Sequence, residues 1–235
     1  MKIEVWFDFA CPSCYVGNKT LEIAIEYFGK DKFIQTEYKS FQLEPNVKNE
    51  STEKVLDVLQ RKYQLSVQKK EELQRDLIEK ADQIGLNIDF VDTLSRDTYD
   101  AHRLVKFAEK VGKDAEVIER IYHKFFSEKE DIGEKSTLLS IAKQVGLDEV
   151  EAETLLSFNK YEKAVLEDQM TAKEMGIEGV PFLIFNNMYA VSGVQPPSVY
   201  INLLQDIWEE DPVCFEDKRL NANKTYCEGN DCDKK

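Results

Sequence analysis

Hydrophobic and polar positions alternate at the start of the chain. Ile3, Val5 and Phe7 fall on one side and Glu4, Trp6 and Asp8 on the other, so residues 2–9 predict a β-strand. After Pro12 the period changes. Leu21, Ala24, Ile25 and Phe28 recur at helical spacing, which predicts a helix from Pro12 to Phe28 with Gly29 as its stop. Residues 33–41, "FIQTEYKSF", alternate again and predict a second strand. From Pro45 to Met175 the chain is almost entirely helical in pattern, with runs that end at Gly85, Gly112, Gly146 and Gly176. Asp148 and Glu151 have the spacing of a capping box. Strand character returns at Pro181–Phe185 and Tyr189–Val191, joined by a turn at "NNM". "VQPPSVYINLLQDIWEE" then predicts a last helix started at its prolines.

The predicted order is strand, helix, strand, a helical block, strand, strand, helix. That is an α/β arrangement interrupted by helices. Since the helical block cannot complete a sheet, the two ends of the chain must meet in space. The expected organisation is residues 1–44 with 176–210 as one unit, 45–175 as a helical insertion, and 211–235 as a polar tail.

The chemistry is concentrated in the cysteines. The chain has five, Cys11, Cys14, Cys214, Cys227 and Cys232, all near its two ends, whereas a disulfide-stapled secreted domain would spread them. In "FACPSCYVG", Cys11 falls at the expected N-cap and Pro12 at the first helical position, where its missing N–H costs nothing. Cys14 lies one turn on. The unpaired N–H groups and the helix dipole favour a thiolate at Cys11, and a lowered thiol pKa makes a cysteine nucleophilic. Cys14 would sit deeper and resolve the mixed disulfide formed at Cys11. Three readings compete: a redox pair, a zinc half-site completed from Cys214, Cys227 and Cys232, and an inert structural pair. The strand–turn–helix context favours the redox pair.

A second feature points the same way. Val180-Pro181 heads a predicted strand, and an X-Pro bond is where a cis peptide is tolerated. A cis-proline loop beside the thiolate would leave backbone groups free to pair with an extended peptide. An ordinary trans proline entering a strand fits the pattern equally. Two further residues are candidates. His102 flanks a helix whose apolar face is Ala101, Leu104, Val105, Ala108 and Val111, and is expected to pack or hydrogen-bond there. Asp8 is expected in a turn or in solvent; if buried, it could accept a proton from Cys14.

Charge narrows the partners. The net charge of −14 argues against nucleic acid, since phosphate neutralisation needs Lys/Arg clusters. No apolar run approaches the roughly 18 residues of a membrane span. Met1 leads at once into an apolar run, without a basic n-region or small-residue cleavage site, so the expected location is the cytoplasm.

"VWFDFACPSCYVGNKTLEIAI", "DAHRLVKFA" and "GVPFLIFNNMYAVSGVQP" together resemble the DsbA-like thioredoxin-fold proteins, with the FrnE-like cytosolic branch as the nearest subgroup. The resemblance spans about residues 1–210. It implies a thioredoxin fold with an all-helical domain inserted after the first β-α-β unit. It also implies thiol–disulfide oxidoreductase activity, with Cys11 as nucleophile, Cys14 as resolving thiol, and Pro181, preceded by Val180, as the cis-proline facing them. DsbA itself has His between its cysteines; Pro12-Ser13 here implies a less oxidising pair. Some FrnE-like proteins resemble this chain in carrying a C-x4-C tail pair. That makes Cys227 and Cys232 a candidate auxiliary redox pair, with a structural clip and a reduced bystander pair as alternatives and Cys214 as a free thiol. The expected substrates are disulfide-containing peptides, proteins or small molecules. In a cytosol that keeps thiols reduced the net reaction would be reduction or isomerisation. No bound cofactor is expected, with electrons coming from glutathione or a thioredoxin-type dithiol partner. The alternatives are an aromatic small-molecule isomerase or glutathione transferase on the same fold, and a non-enzymatic zinc-binding protein.

Overall fold

The first strand, Lys2–Phe7 (β1), has a partner on each side and joins the two ends of the chain. Gln35–Ser40 (β2) runs parallel to it, with Val5 opposite Tyr38. Phe182–Phe185 (β3) runs antiparallel on the other side, with Trp6 opposite Phe182. A hairpin turn, in which Asn186 and Asn187 take positive φ of 48° and 56°, leads to Tyr189–Ser192 (β4). Lys224–Cys227 (β5) lies parallel to β4 at the edge, giving the order β2-β1-β3-β4-β5. The computed structural model describes residues 1–45 and 47–210, and the backbone of β5. Cys214 and Cys232 lie outside the described residues, as does the side chain of Cys227, so the proposed tail pair does too.

Between β1 and β2 runs Pro12–Phe28 (α1), closed by Gly29 in the left-handed conformation as expected. Between β2 and β3 stand seven helices: Val55–Lys62 (α2), Val67–Gln83 (α3), Tyr99–Glu109 (α4), Asp114–Phe126 (α5), Lys135–Gln144 (α6), Glu149–Ser157 (α7) and Glu162–Glu174 (α8). Pro197–Glu210 (α9) follows β4 and packs on α1. All four expected glycine stops have positive φ, between 67° and 71°. The Asp148 side chain accepts a 2.8 Å bond from the Glu151 N–H, as the capping spacing predicts.

Three local expectations shift. The first strand ends at Phe7 instead of Phe9, because the Asp8 carboxylate takes the backbone N–H groups of Ala10 and Leu43 and turns the chain out of the sheet. The second begins at Gln35, since Asp31–Phe33 form a 3-10 turn. Val111 leaves the apolar face of α4, because that helix ends at Glu109, and it is exposed.

Both faces of the sheet are covered. Ile3, Val5 and Phe7 belong to the main core, while Trp6 packs with Ala172, Ile177 and Ile184 beneath α8. Tyr15 of α1 stacks on Tyr122 of α5, with centroids 4.9 Å apart. Lys106 of α4 ties the helices to the sheet. Its Nζ lies 2.6 Å from Asp168 Oδ2 of α8 and donates to the Tyr38 carbonyl of β2 at 2.8 Å. Asp168 in turn accepts the Ser40 N–H at 2.8 Å. Arg103 donates to the carbonyls of Leu155, Phe158 and Lys160, fastening the end of α7 to α4.

Breaking a buried ion pair by removing one partner leaves an uncompensated charge. Lys106→Met is therefore expected to lower stability by about 3 kcal/mol in urea unfolding. A loss under about 1 kcal/mol, the range of exposed pairs, would show that the helices do not depend on this clamp.

Candidate active site

Cys11 is the N-cap of α1, with extended backbone (φ −110°, ψ 103°), and Pro12 occupies the first turn. The loop is closed by short backbone bonds. Cys11 N–H donates to the Asp8 carbonyl at 3.2 Å and Cys14 N–H to the Cys11 carbonyl at 3.0 Å. Both cysteines are unbridged thiols. The Val180–Pro181 peptide is cis. The Cys11 thiol donates to the Val180 carbonyl at 3.5 Å, across 169 positions of sequence. Gly17 permits this approach: a Cβ there would stand 3.2 Å from Pro181 Cγ. The structure thus brings Cys11, Cys14, Val180 and Pro181 together at the end of the sheet where β1 stops and β3 begins.

The thiols differ less in depth than their order along the helix suggests. Cys11 is 2% exposed and Cys14 1%. Burial pushes the Cys14 thiol well above its usual range, and its hydrogen bond to Cys11 and the charge of Cys11 push it further. A backbone hydrogen bond of Asp8 pulls the other way, and the Asp8 carboxylate adds to the rise.

Beneath the thiols lies a polar cluster that periodicity did not reveal. Asp8 is buried, not solvated. Its Oδ1 accepts from the Thr98 hydroxyl at 2.7 Å and stands 3.3 Å from His102 Nε2; its Oδ2 accepts the Leu43 N–H at 2.7 Å. The carboxylate favours the tautomer with the proton on Nε2. The His102 ring is fully buried against Phe7 and Phe9, each with its centroid 5.1 Å away, and Nδ1 has no hydrogen-bond partner among the described residues. The Tyr122 hydroxyl donates to the Asp8 carbonyl at 3.0 Å. Burial, followed by the charges of Cys14, Cys11 and Asp8, pushes the Tyr122 pKa well up and keeps it a donor. His102 does pack and hydrogen-bond as expected; what its sequence context lacked was the partner, 94 positions away.

Tyr63 is the other residue that sequence reading passed over. It caps the C-terminus of α2, and a Cβ placed on Gly179 would come within 2.7 Å of its hydroxyl oxygen. Burial raises its pKa, and the charges of Cys11, Cys14 and Asp8 raise it further. Lys80 Nζ, in the last turn of α3, donates to the Val194 carbonyl at 3.2 Å and holds that helix to the loop after β4. No local pattern marks Tyr63; only the docking of α2 on the loop before β3 does.

Among the described residues, no group of three or more His, Cys, Asp or Glu side chains is placed to hold a metal ion, and no helix is long and apolar enough to cross a membrane.

A family profile described as "DSBA-like thioredoxin domain" matches residues 2–205. A solved structure of a probable DsbA oxidoreductase from Streptomyces coelicolor is 29% identical and superposes with a TM-score of 0.81, covering 100% of this chain and 99% of that one. The fold is shared at lower identity by a 2-hydroxychromene-2-carboxylate isomerase (17%, TM-score 0.67, covering 89% of this chain and 96% of that one). It is shared too by the cytosolic disulfide reductase DsbM from Pseudomonas aeruginosa (15%, TM-score 0.62, covering 89% and 100%).

Removing the carboxylate charge beneath Cys14 should ease its ionisation. In Asp8→Asn, the pH at which Cys14 becomes alkylated, read by residue-resolved mass spectrometry on the dithiol protein, is expected to fall. An unchanged profile would mean that the Asp8 charge does not reach the Cys14 thiol.

Proposed function

The chain belongs to the DSBA-like thioredoxin family, and on that footing we propose that it is a thiol–disulfide oxidoreductase working through Cys11 and Cys14. The observation that carries this reading is the placement of Cys11. Its thiol sits at a helix N-cap, against the Val180 carbonyl of a cis peptide, with a second thiol one turn away.

The steps follow from that geometry. The helix N-terminus favours the Cys11 thiolate, which attacks a substrate disulfide. One substrate sulfur bonds to Cys11, and the other leaves as a thiolate. Cys14 then attacks Cys11 Sγ and expels the bound sulfur, leaving a Cys11–Cys14 disulfide. The hydrogen bond and charge of Cys11 help hold Cys14 protonated. Once Cys11 is consumed in the mixed disulfide, that restraint is gone, so the second attack is timed to follow the first. An extended substrate pairs with the backbone at Val180, beside Pro181.

The finer assignment places the chain in the FrnE-like branch, acting as a reductase or isomerase of peptide, protein or small disulfides in the cytoplasm. Pro12-Ser13 supports a reducing pair, since no imidazolium lies between the cysteines to stabilise the thiolate. Glutathione or a thioredoxin-type dithiol returns the electrons. Cys227 and Cys232 serve as an auxiliary pair that exchanges with Cys11–Cys14; the C-x4-C spacing supports that reading.

A glutathione redox titration followed by alkylation and mass spectrometry tests the reading. Cys11 and Cys14 should convert together in one two-electron transition, in which about 30 mV is a tenfold change in equilibrium. Cys14→Ser should accumulate a mixed disulfide at Cys11, and Cys11→Ser should abolish turnover. Thiols that stay unpaired at every poise would overturn the proposal.

A further inference from the structure

The catalytic pair is not reached by the loop of Val180 alone. Tyr63, contributed by the helical block, meets the same loop from the other side. Its phenol lies so close to Gly179 that a Cβ there would stand 2.7 Å from the hydroxyl oxygen, so a side chain at that position would push the phenol aside. The position is anchored through its neighbour in α2. Lys62, the last residue of α2, donates to the Leu43 carbonyl at 2.8 Å, and Leu43 N–H is itself held by Asp8. Tyr63 is nevertheless 40% exposed. Burial first, and then the charges of Cys11, Cys14 and Asp8, raise the pKa of the phenol and keep it protonated.

We propose that Tyr63 is a catalytic residue whose hydroxyl donates a hydrogen bond to the leaving sulfur of the substrate disulfide. The inference rests on the oxidoreductase reading above and assigns a further residue to it. A substrate lying along Gly179 and Val180 places one sulfur at Cys11 and the rest of its disulfide toward the phenol. Cys11 thiolate donates an electron pair to the nearer sulfur, the substrate S–S bond breaks, and its pair departs on the farther sulfur. That sulfur becomes a thiolate as the bond breaks, next to the phenol. A donor there does the work of an oxyanion-hole group: it stabilises charge that appears only as the bond breaks. The phenol keeps its proton throughout, and the thiolate takes one from solvent on release. Gly179 is part of the device, because a side chain there would displace the hydroxyl.

The leaving group supplies the test. A thiolate of high proton affinity needs the hydrogen bond most, and an aromatic thiolate of low pKa needs it least. Single-turnover rates of the reduced protein are measured with glutathione disulfide and with dithiobis(nitrobenzoate). Tyr63→Phe keeps the ring and is expected to slow the glutathione disulfide reaction roughly tenfold or more, the worth of one hydrogen bond to a charged group. The aromatic disulfide should be slowed far less. Gly179→Ala, which displaces the phenol, should reproduce the selective loss. Unchanged rates with glutathione disulfide in Tyr63→Phe would overturn the assignment. So would an equal loss with both disulfides, which marks a structural effect. If the unaltered protein reduces neither disulfide, the oxidoreductase reading itself fails, whatever Tyr63 does.

Discussion

One buried carboxylate organises this molecule around its thiols. A carboxylate out of water must be surrounded by donors or it costs several kcal/mol, a demand of roughly that size for any buried ion. Asp8 meets the demand with groups from distant parts of the chain. The Leu43 N–H comes from the segment after β2, and the Thr98 hydroxyl and His102 imidazole come from the helical block. Its carbonyl accepts from Cys11 N–H and from the Tyr122 hydroxyl of α5. The turn that presents Cys11 exists because Asp8 pulls the chain out of the sheet.

That arrangement places negative charge under a pair of thiols. The carboxylate and the Cys11 sulfur both disfavour a Cys14 thiolate, and burial does so more strongly than either. The two cysteines, one helical turn apart, hardly differ in exposure. They differ in what each sulfur faces: Cys11 meets the Val180 carbonyl, and Cys14 meets the Cys11 sulfur and Asp8.

The inserted helices are more than an appendage to the sheet. Lys106 and Asp168 clamp α4 and α8 to β2, Tyr122 stacks on Tyr15, and α2 delivers Tyr63 to the loop before β3. Each of these contacts bears on the end of the sheet where the thiols lie. A thioredoxin-like unit alone would leave Asp8 without Thr98 and His102, and the loop before β3 without Tyr63.

The sequence by itself determined strands β1 to β4, the flanking helices α1 and α9, the helical character of the block between β2 and β3, and the pairing of Cys11 with Cys14 on one helix end. These rest on local physics: period-2 and period-3.6 patterns, glycine stops, a proline at a helix start, and a dithiol spaced by one turn. It did not show β5, which lies inside the expected polar tail. Cys11 and Cys14 were legible because they share a helix end, whereas the pattern at Val180-Pro181 fitted a cis or a trans bond equally and the structure decided for cis. Val111 misled because the alternation of apolar residues ran past the point where Glu109 ends the helix. Tertiary structure alone decided the fate of Asp8, His102 and Tyr63. An aspartate after a strand carries the same local signal whether it meets water or four buried donors. A tyrosine at a helix end looks the same whether it faces solvent or Gly179. What distinguishes these cases is contact between residues some 90 or more positions apart, 94 for Asp8 with His102, and such contact leaves no periodicity in the chain.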